Sequence, residues 1–429
     1  MLTRPTTLAR LATGLMLISA VAGGSVLGYV AARLTGASAA STYADAVLDP
    51  TRELQSDALA GLALERAEMG AAWLADVSRH DGSFIYLYYP EDDEYDLEAY
   101  NEVRHAGTTY SMFQVYDAVG GEHVLAAAEG GARYIDDHSE PVDGGGRAFL
   151  YEDQMKLGGQ ALALVALLER RRVLADTTHD ELIGELADFM MSLELTDEPG
   201  RYYQSYDAGL REPSLEPDSD YYPGEALLAL TRLAQHFPDG PFLDYARRAA
   251  EYLVHERDGD IPELGAVPRE DHWLAMALSE LYRLEPDPGY RTVAYLQAES
   301  MVQHQYTGAE APMRIGASAG QNPINYTSTA TKGEALLAVW ALAAFAEDAD
   351  AVERYSTAAR RNVQFQMRVQ YTSENSQLFP RPEAVVGAWG KDALDPWIRV
   401  DFVQHNISGL VGLWYLTTEG DIRVAQPID

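Results

Sequence analysis

The chain has no cysteine and only three lysines, Lys156, Lys332 and Lys391, against 66 aspartates and glutamates. The first absence excludes disulfides, zinc–thiolate centres and a thiol nucleophile. The second leaves a formal net charge of −34. Such a surface repels nucleic acid and anionic lipid, so neither is expected as a partner. EF-hand spacing is missing as well. The acidic stretch EDDEYD, Glu91 to Asp96, could offer oxygen ligands to Ca²⁺, although a solvated acidic face explains it as well. No cofactor and no catalytic metal are therefore expected, with structural Ca²⁺ at the acidic loops as the alternative.

What is present is a chain of 429 residues, 47% of them hydrophobic, enough to build a sizeable core. Arg4 and Arg10 precede an apolar run from Leu11 to Ala32, and an Ala37-Ser38-Ala39 motif follows. A run of that length can span a bilayer. Residues 1–40 are thus expected to be a signal anchor or a cleaved signal peptide, and 41–57 a linker. Residues 58–420 are expected to form one domain, and 421–429 a tail. Either N-terminal outcome places the domain outside the cytoplasm, membrane-anchored or secreted, with membrane contact through the first segment only. No later run reaches about 18 apolar residues, the length a second span would need.

The domain reads as two alternating kinds of segment. Six become apolar almost all round, the mark of buried helices. They include YNEVRHAGTTYSMFQVYDAVGG from Tyr100, KLGGQALALVALLERRRV from Lys156 and YYPGEALLALTRLAQHF from Tyr221. The others are EDHWLAMALSELYRL from Glu270, TKGEALLAVWALAAFAED from Thr331 and VQHNISGLVGLWYLT from Val403. Six more, such as AVERYSTAARRNVQFQM from Ala351, carry charged faces with apolar residues at i, i+3, i+4 and i+7, the pattern of half-exposed helices. Outer-to-inner loops are long and aromatic (GSFIYLYYP, GGRAFLYED, GRYYQSYD), whereas the returns are short turns (FPDGP, EPDPG). The expected architecture is all-α: six helical hairpins closed into a ring, with short β-like pieces at one mouth. An open solenoid is the alternative.

The inner segments begin with polar residues rather than plain caps. Asn101, Arg104, His105 and Tyr110 stand on the first, and Glu152 and Asp153 precede the second. Tyr221, Tyr222 and Glu225 open the third, and Asp271, His272 and Trp273 the fourth. Tyr326 and Glu334 mark the fifth, His405 and Asn406 the sixth. A lone histidine near an apolar helix is more often a satisfied core residue, and a tyrosine-rich loop can simply pack. Yet histidines at three equivalent starts point to a cavity, and tyrosines suit stacking on sugar rings.

Two chemistries compete there. Glycoside hydrolysis by inversion needs two carboxylates roughly 6.5–9.5 Å apart, and Glu152, Asp153, Asp220 and Asp271 are the candidates. Proton transfer at a sugar carbon needs a base on one face and an acid on the other, with a group to hold the oxygen that gains charge. His272 and His405 are candidates for base and acid, and Arg104 for the oxygen. A toroid that only binds glycan or serves as a scaffold is the non-catalytic alternative.

The alternating pattern over residues 55–420 resembles the six-hairpin glycosidase superfamily, which implies an (α/α)6 toroid. A narrower resemblance joins RHAGTTYSMF, DHWLA and QHNIS to the N-acylglucosamine 2-epimerase family. It implies catalytic roles for His272 and His405 and an arginine role for Arg104. The helices EALLAL and EALLAV also resemble the glutamate-bearing inner helices of that family. Uronate epimerases and lyases on the same toroid use Tyr, His, Asn and Arg, which implies equal use for Asn101, His105 and Tyr110. The expected activity is therefore that of an exported enzyme acting on a sugar or a uronic-acid-containing glycan. Epimerase- or lyase-like proton transfer is favoured, with inverting hydrolysis and binding alone as alternatives.

Overall fold

Two hydrophobic patterns fold into two kinds of helix. The computed structural model describes residues 56–265, 269–308 and 311–421. In chain order the helices are α1 (Ser56–Asp76), α2 (Glu102–Val119), α3 (Glu122–Asp137), α4 (Leu157–Leu174) and α5 (Asp180–Ser192). Then come α6 (Tyr222–His236), α7 (Phe242–Glu251), the four-residue α8 (Ile261–Leu264) and α9 (His272–Leu284). The last four are α10 (Pro288–Gln303), α11 (Tyr326–Phe345), α12 (Ala349–Val369) and α13 (Val400–Thr418).

The segments that read as apolar all round are α2, α4, α6, α9, α11 and α13. Each packs on the next, and α13 packs back on α2, closing an inner ring. Small residues let these helices approach closely. In α4, the run from Leu157 to Arg171 is buried throughout. The amphipathic helices stand outside. On α12 the buried residues Ala351, Tyr355, Ala358, Ala359, Asn362 and Val363 follow the three- and four-residue steps of a single helical face. Each inner helix pairs with the outer helix after it, and α13 pairs with α1. The ring is therefore closed, and the open solenoid is excluded.

One backbone device recurs around it. Gly82, Gly146, Gly200, Gly316 and Gly387 all have positive φ. A Cβ on any of them would lie within 2.5 Å of the backbone carbonyl oxygen of an outer helix, at Gly130, Glu185, Arg248, Arg361 and Met69 respectively. Only glycine meets both the φ and the close approach.

Among the described residues, eight short strands decorate the long loops: β1 (Leu87–Tyr89), β2 (Glu94–Asp96), β3 (Ser139–Pro141), β4 (Arg147–Phe149), β5 (Gln154–Lys156), β6 (Ser205–Asp207), β7 (Glu212–Ser214) and β8 (Ile398–Arg399). They form antiparallel sheets in the orders β2-β1-β8, β3-β4 and β5-β6-β7. The β1–β8 pairing, with Leu87 opposite Arg399, joins the first long loop to the last. The EDDEYD acids do not converge. Asp93 accepts from the Tyr88 hydroxyl and pairs with Arg381, and Asp96 accepts from the backbone of Glu98 and Ala99.

The expected membrane segment at 11–32 lies outside the described residues, as do most of the linker and the tail. Among the described residues no helix is long and apolar enough to cross a membrane.

Candidate active site

Where each inner helix starts decides which side chains face the mouth. Asn101 accepts from the Arg104 backbone N–H (3.0 Å), Asp271 from those of Trp273 and Leu274 (3.0 and 3.2 Å), and Asn325 from that of Ser328 (2.8 Å). These are N-caps, which satisfy backbone donors that the helix itself leaves open. The first turns so fixed line a cavity of about 540 Å³.

His272 is the first residue of α9. It is buried, and its Nε2 has no hydrogen-bond partner among the described residues. Burial first, then the His405 charge, hold its pKa well below the ordinary imidazole value, so the ring stays neutral. His405 stands on α13 with its Nδ1 2.8 Å from Glu334 Oε2. A carboxylate only accepts, so this pairing assigns the proton to Nδ1 and leaves Nε2 for other chemistry. The two imidazoles meet edge to face with centroids 5.4 Å apart, and Trp273 packs against both at 4.7 and 6.0 Å.

Arg104 Nε lies 3.0 Å from Asp401 Oδ2, and Arg399 engages the same carboxylate, with Nη2 2.8 Å from Oδ2. Burial alone would raise the Asp401 pKa. The Arg399 hydrogen bond and the two guanidinium charges outweigh it and hold the carboxyl below its usual value. Glu225 behaves oppositely. Burial, and then the charge of Asp271, push it up to about 8. Its Oε2 has no partner among the described residues. Gly158 on α4 makes room for it, since a Cβ there would lie 2.0 Å from that oxygen. Tyr221, Tyr222, Trp397 and Phe402 supply apolar wall.

Of the residues expected at the site, Asn101, Arg104, Tyr221, Tyr222, Glu225, His272, Trp273 and His405 line this cavity, and Glu334 backs it through His405. The others lie elsewhere. His105 is one residue and about 100° round α2 from Arg104, so it faces α3. There it bonds the Tyr100 hydroxyl (2.6 Å) and the Gly131 carbonyl (3.0 Å), and burial pushes its pKa down to about 4. Tyr110 lies further along α2 and accepts from Gln114 and Arg232 (2.6 and 3.1 Å), beside a much smaller cavity inside the barrel. Glu152 and Asp153 are the exposed turn between Tyr151 and Gln154, with φ of 51° and 61°. Asp271 caps α9 through Oδ1 and lies behind the wall, its Oδ2 buried without a partner among the described residues. Tyr326 packs on Phe365, and Asn406 donates to the Phe402 carbonyl at 2.7 Å. Asp220 pairs with Arg269 at the surface. None of the four carboxylates considered for hydrolysis therefore lines the cavity.

Asp401, Arg399, Trp397, Lys391 and Thr331 line it without having been singled out from the sequence. Asp401 could have been found, since it precedes His405 by four residues and so shares its helix face.

His272, Glu334 and His405 also place one ligand atom each within 4.8 Å of one another. Two imidazoles and a carboxylate suit a divalent transition metal, and the unpartnered Nε2 of His272 and Oε1 of Glu334 fit that donor set.

No protein-family model matches the chain, and no curated protein sequence is similar to it. Solved structures are similar. A D-mannose isomerase superposes with a TM-score of 0.59 at 14% identity, covering 82% of this chain and 96% of its own. A cellobiose 2-epimerase from Bacillus thermoamylovorans gives 0.61 at 13%, covering 83% and 98%. A glycoside hydrolase family 76 mannosidase from Bacteroides thetaiotaomicron gives 0.60 at 11%, covering 84% and 100%. At these identities the likeness establishes the fold alone, an (α/α)6 toroid.

Proposed function

We propose that this chain is a carbohydrate-active enzyme that moves a proton at a sugar carbon next to a carbonyl. One observation carries the reading: a buried, neutral His272 with a free Nε2 stands against a Glu334-backed His405 at the wall of an aromatic-lined cavity. Two of the similar structures are named an isomerase and an epimerase of sugars, reactions that need such a transfer.

The geometry changes one expectation. A sugar ring held between two side chains needs about 7 Å or more between them, twice the usual contact distance. The histidine centroids are 5.4 Å apart, so no sugar lies between them. They serve adjacent atoms on one face. In that arrangement His272 Nε2 takes the proton from the carbon beside the carbonyl, and the C–H electron pair becomes the C=C bond of an enediolate. The carbonyl oxygen takes up charge and is protonated from Nε2 of His405, which enters the step as the imidazolium with its Nδ1–H on Glu334. Return of the carbon proton to the neighbouring carbon gives isomerisation, as the hydroxyl on the first carbon gives its proton to His405 and becomes the new carbonyl. Its return to the same carbon after rotation of the chain gives epimerisation, as the first oxygen gives its proton back to His405 and the original carbonyl re-forms. Glu334 offsets the charge that His405 carries when protonated. Arg104, fixed by Asp401, lies on the same cavity as a donor for substrate oxygens.

Hydrolysis is the second reading. Glu225 keeps its proton up to about pH 8 and lines the cavity as an acid would. Its weakness is the other lining carboxylate, Asp401, which two arginines already occupy. Proton NMR of the protein incubated with mannose, glucose, cellobiose and glucuronate tests the proposal. A new isomer or epimer supports it, new reducing ends favour hydrolysis, and no change of any sugar favours binding alone.

A further inference from the structure

Beside the main cavity lies a second one, of about 390 Å³, outside the inner ring. Ser219 lines both, so the short stretch from Asp218 to Pro223 is the wall between them. Its far side is the five-residue π-helical turn Tyr252–Glu256 that follows α7. Such turns are uncommon and concentrate at functional sites.

The residues that line this cavity hold unspent hydrogen-bonding capacity. The Arg257 side chain is only 8% exposed, and its Nε is paired with Asp258 at 3.0 Å. Its Nη1 and Nη2 have no partner among the described residues. The Tyr202 hydroxyl and Gln204 Oε1 are likewise buried and unpartnered there. Buried polar groups are ordinarily satisfied, and a guanidinium fork fits a carboxylate with two parallel bonds. The rim is different. Arg201 is held by Glu198, and Arg269 by Asp220 and Asp258. Both are paired and far more exposed than Arg257, so the buried Arg257 fork is the stronger anion site. Asp218 and Glu256 on the exposed rim repel any anion but accept hydroxyl donors, which offset that repulsion only for an anion that carries hydroxyls. The complement of this pattern is a molecule with one carboxylate at the Arg257 fork and several hydroxyls.

We propose that this cavity is an accessory subsite for a uronic acid residue of the substrate, with the Arg257 fork and the Tyr202 hydroxyl on its carboxylate and Gln204 Oε1 and the rim acids on its hydroxyls. The wall shared through Ser219 makes it the neighbour of the sugar in the main cavity. The substrate class is then an acidic oligosaccharide. The proposal rests on the main cavity being a sugar site.

Equilibrium binding of D-glucuronate to the full chain tests it, with D-glucose as the neutral counterpart and inorganic sulfate as the bare anion. Glucuronate is expected to bind at least about tenfold tighter than either, because bonds between charged partners are about twice as strong as neutral ones. Arg257→Gln should abolish that preference, and Arg257→Lys should not restore it, since a lysine offers a point charge in place of a fork. Tyr202→Phe leaves the net charge unchanged and should weaken glucuronate several-fold; it carries the test if the arginine variants do not fold. Equal binding of glucuronate and glucose, or a preference untouched by Arg257→Gln and Tyr202→Phe, overturns the proposal. So does sulfate binding as tightly as glucuronate, which means a bare anion or hydrated pocket only. His272→Asn separates the two readings, because it should stop turnover and leave the glucuronate preference in place. Loss of one result without the other identifies which reading has failed.

Discussion

His405 Nδ1 lies 2.8 Å from Glu334 Oε2, and both residues are buried. The bond crosses from the sixth inner helix to the fifth and fixes both the ring's tautomer and its tilt toward His272. A histidine backed by a buried carboxylate can accept a proton without leaving an uncompensated charge in a dry site.

Glu334→Gln keeps the size of the side chain and an acceptor for Nδ1–H but removes the compensating charge. The expected result is a fall in kcat of roughly 10²–10⁴-fold, the range for general acid–base groups, with little change in KM. Steady-state kinetics and a thermal melt check it. A lower melting temperature with normal kcat would make the pair structural.

The three-donor set at His272, Glu334 and His405 gives a prediction about metals. Under proton transfer by free imidazoles, dialysis against EDTA leaves turnover unchanged. Added Zn²⁺ inhibits, because coordination takes the His272 Nε2 lone pair that accepts the carbon proton. Loss of activity with EDTA and its return with Zn²⁺ or Mn²⁺ would give the same residues a ligand role instead.

Glu225 makes stability depend on pH. Its folded pKa is raised to about 8, against about 4.3 for an unfolded glutamate. Between those values the folded state holds the extra proton, so stability falls as pH rises through this window. Asp271, raised to about 7, acts with the same sign. His272 acts with the opposite sign, but its lowered pKa matters only below about pH 6.5, where the unfolded imidazole takes up a proton. Melting temperature should therefore fall from pH 6.5 to 8.5, and Glu225→Gln should flatten that slope. An unchanged slope in the variant would contradict the raised pKa.

Much of the fold was legible in the sequence because burial leaves a periodic trace. The segment KLGGQALALVALLERRRV has no polar stripe and had to be inner; AVERYSTAARRNVQFQM has one and had to be outer. The positive-φ glycines at 82, 146, 200, 316 and 387 also repeat, but with different neighbours, so only the backbone reveals them as one device. The site was half legible. Polar residues at helix starts marked the mouth, but spacing alone did not say which way each side chain points. His105 and Arg104 are adjacent in sequence and about 100° apart round the helix, one facing the outer ring and one the cavity. The carboxylates failed for a related reason. Glu152 and Asp153 sit at the mouth in sequence, yet they are the turn of a hairpin, and Asp271 caps α9 from behind the wall. Arg257 gave no signal, because its meaning comes from Nη1 and Nη2 having no partner in space among the described residues.

The central claim is that His272 and His405 move a proton on carbon. Incubation of a responsive sugar with the wild-type protein, His272→Asn and His405→Asn in D₂O tests it most directly, with deuterium read by NMR and sugar affinity measured alongside. The account predicts carbon-bound deuterium in wild type and none above background in either variant. Affinity should change by less than about tenfold, since one neutral hydrogen bond contributes about 1 kcal/mol. Turnover by the wild-type protein without deuterium on carbon, or full turnover by both histidine variants, would contradict it.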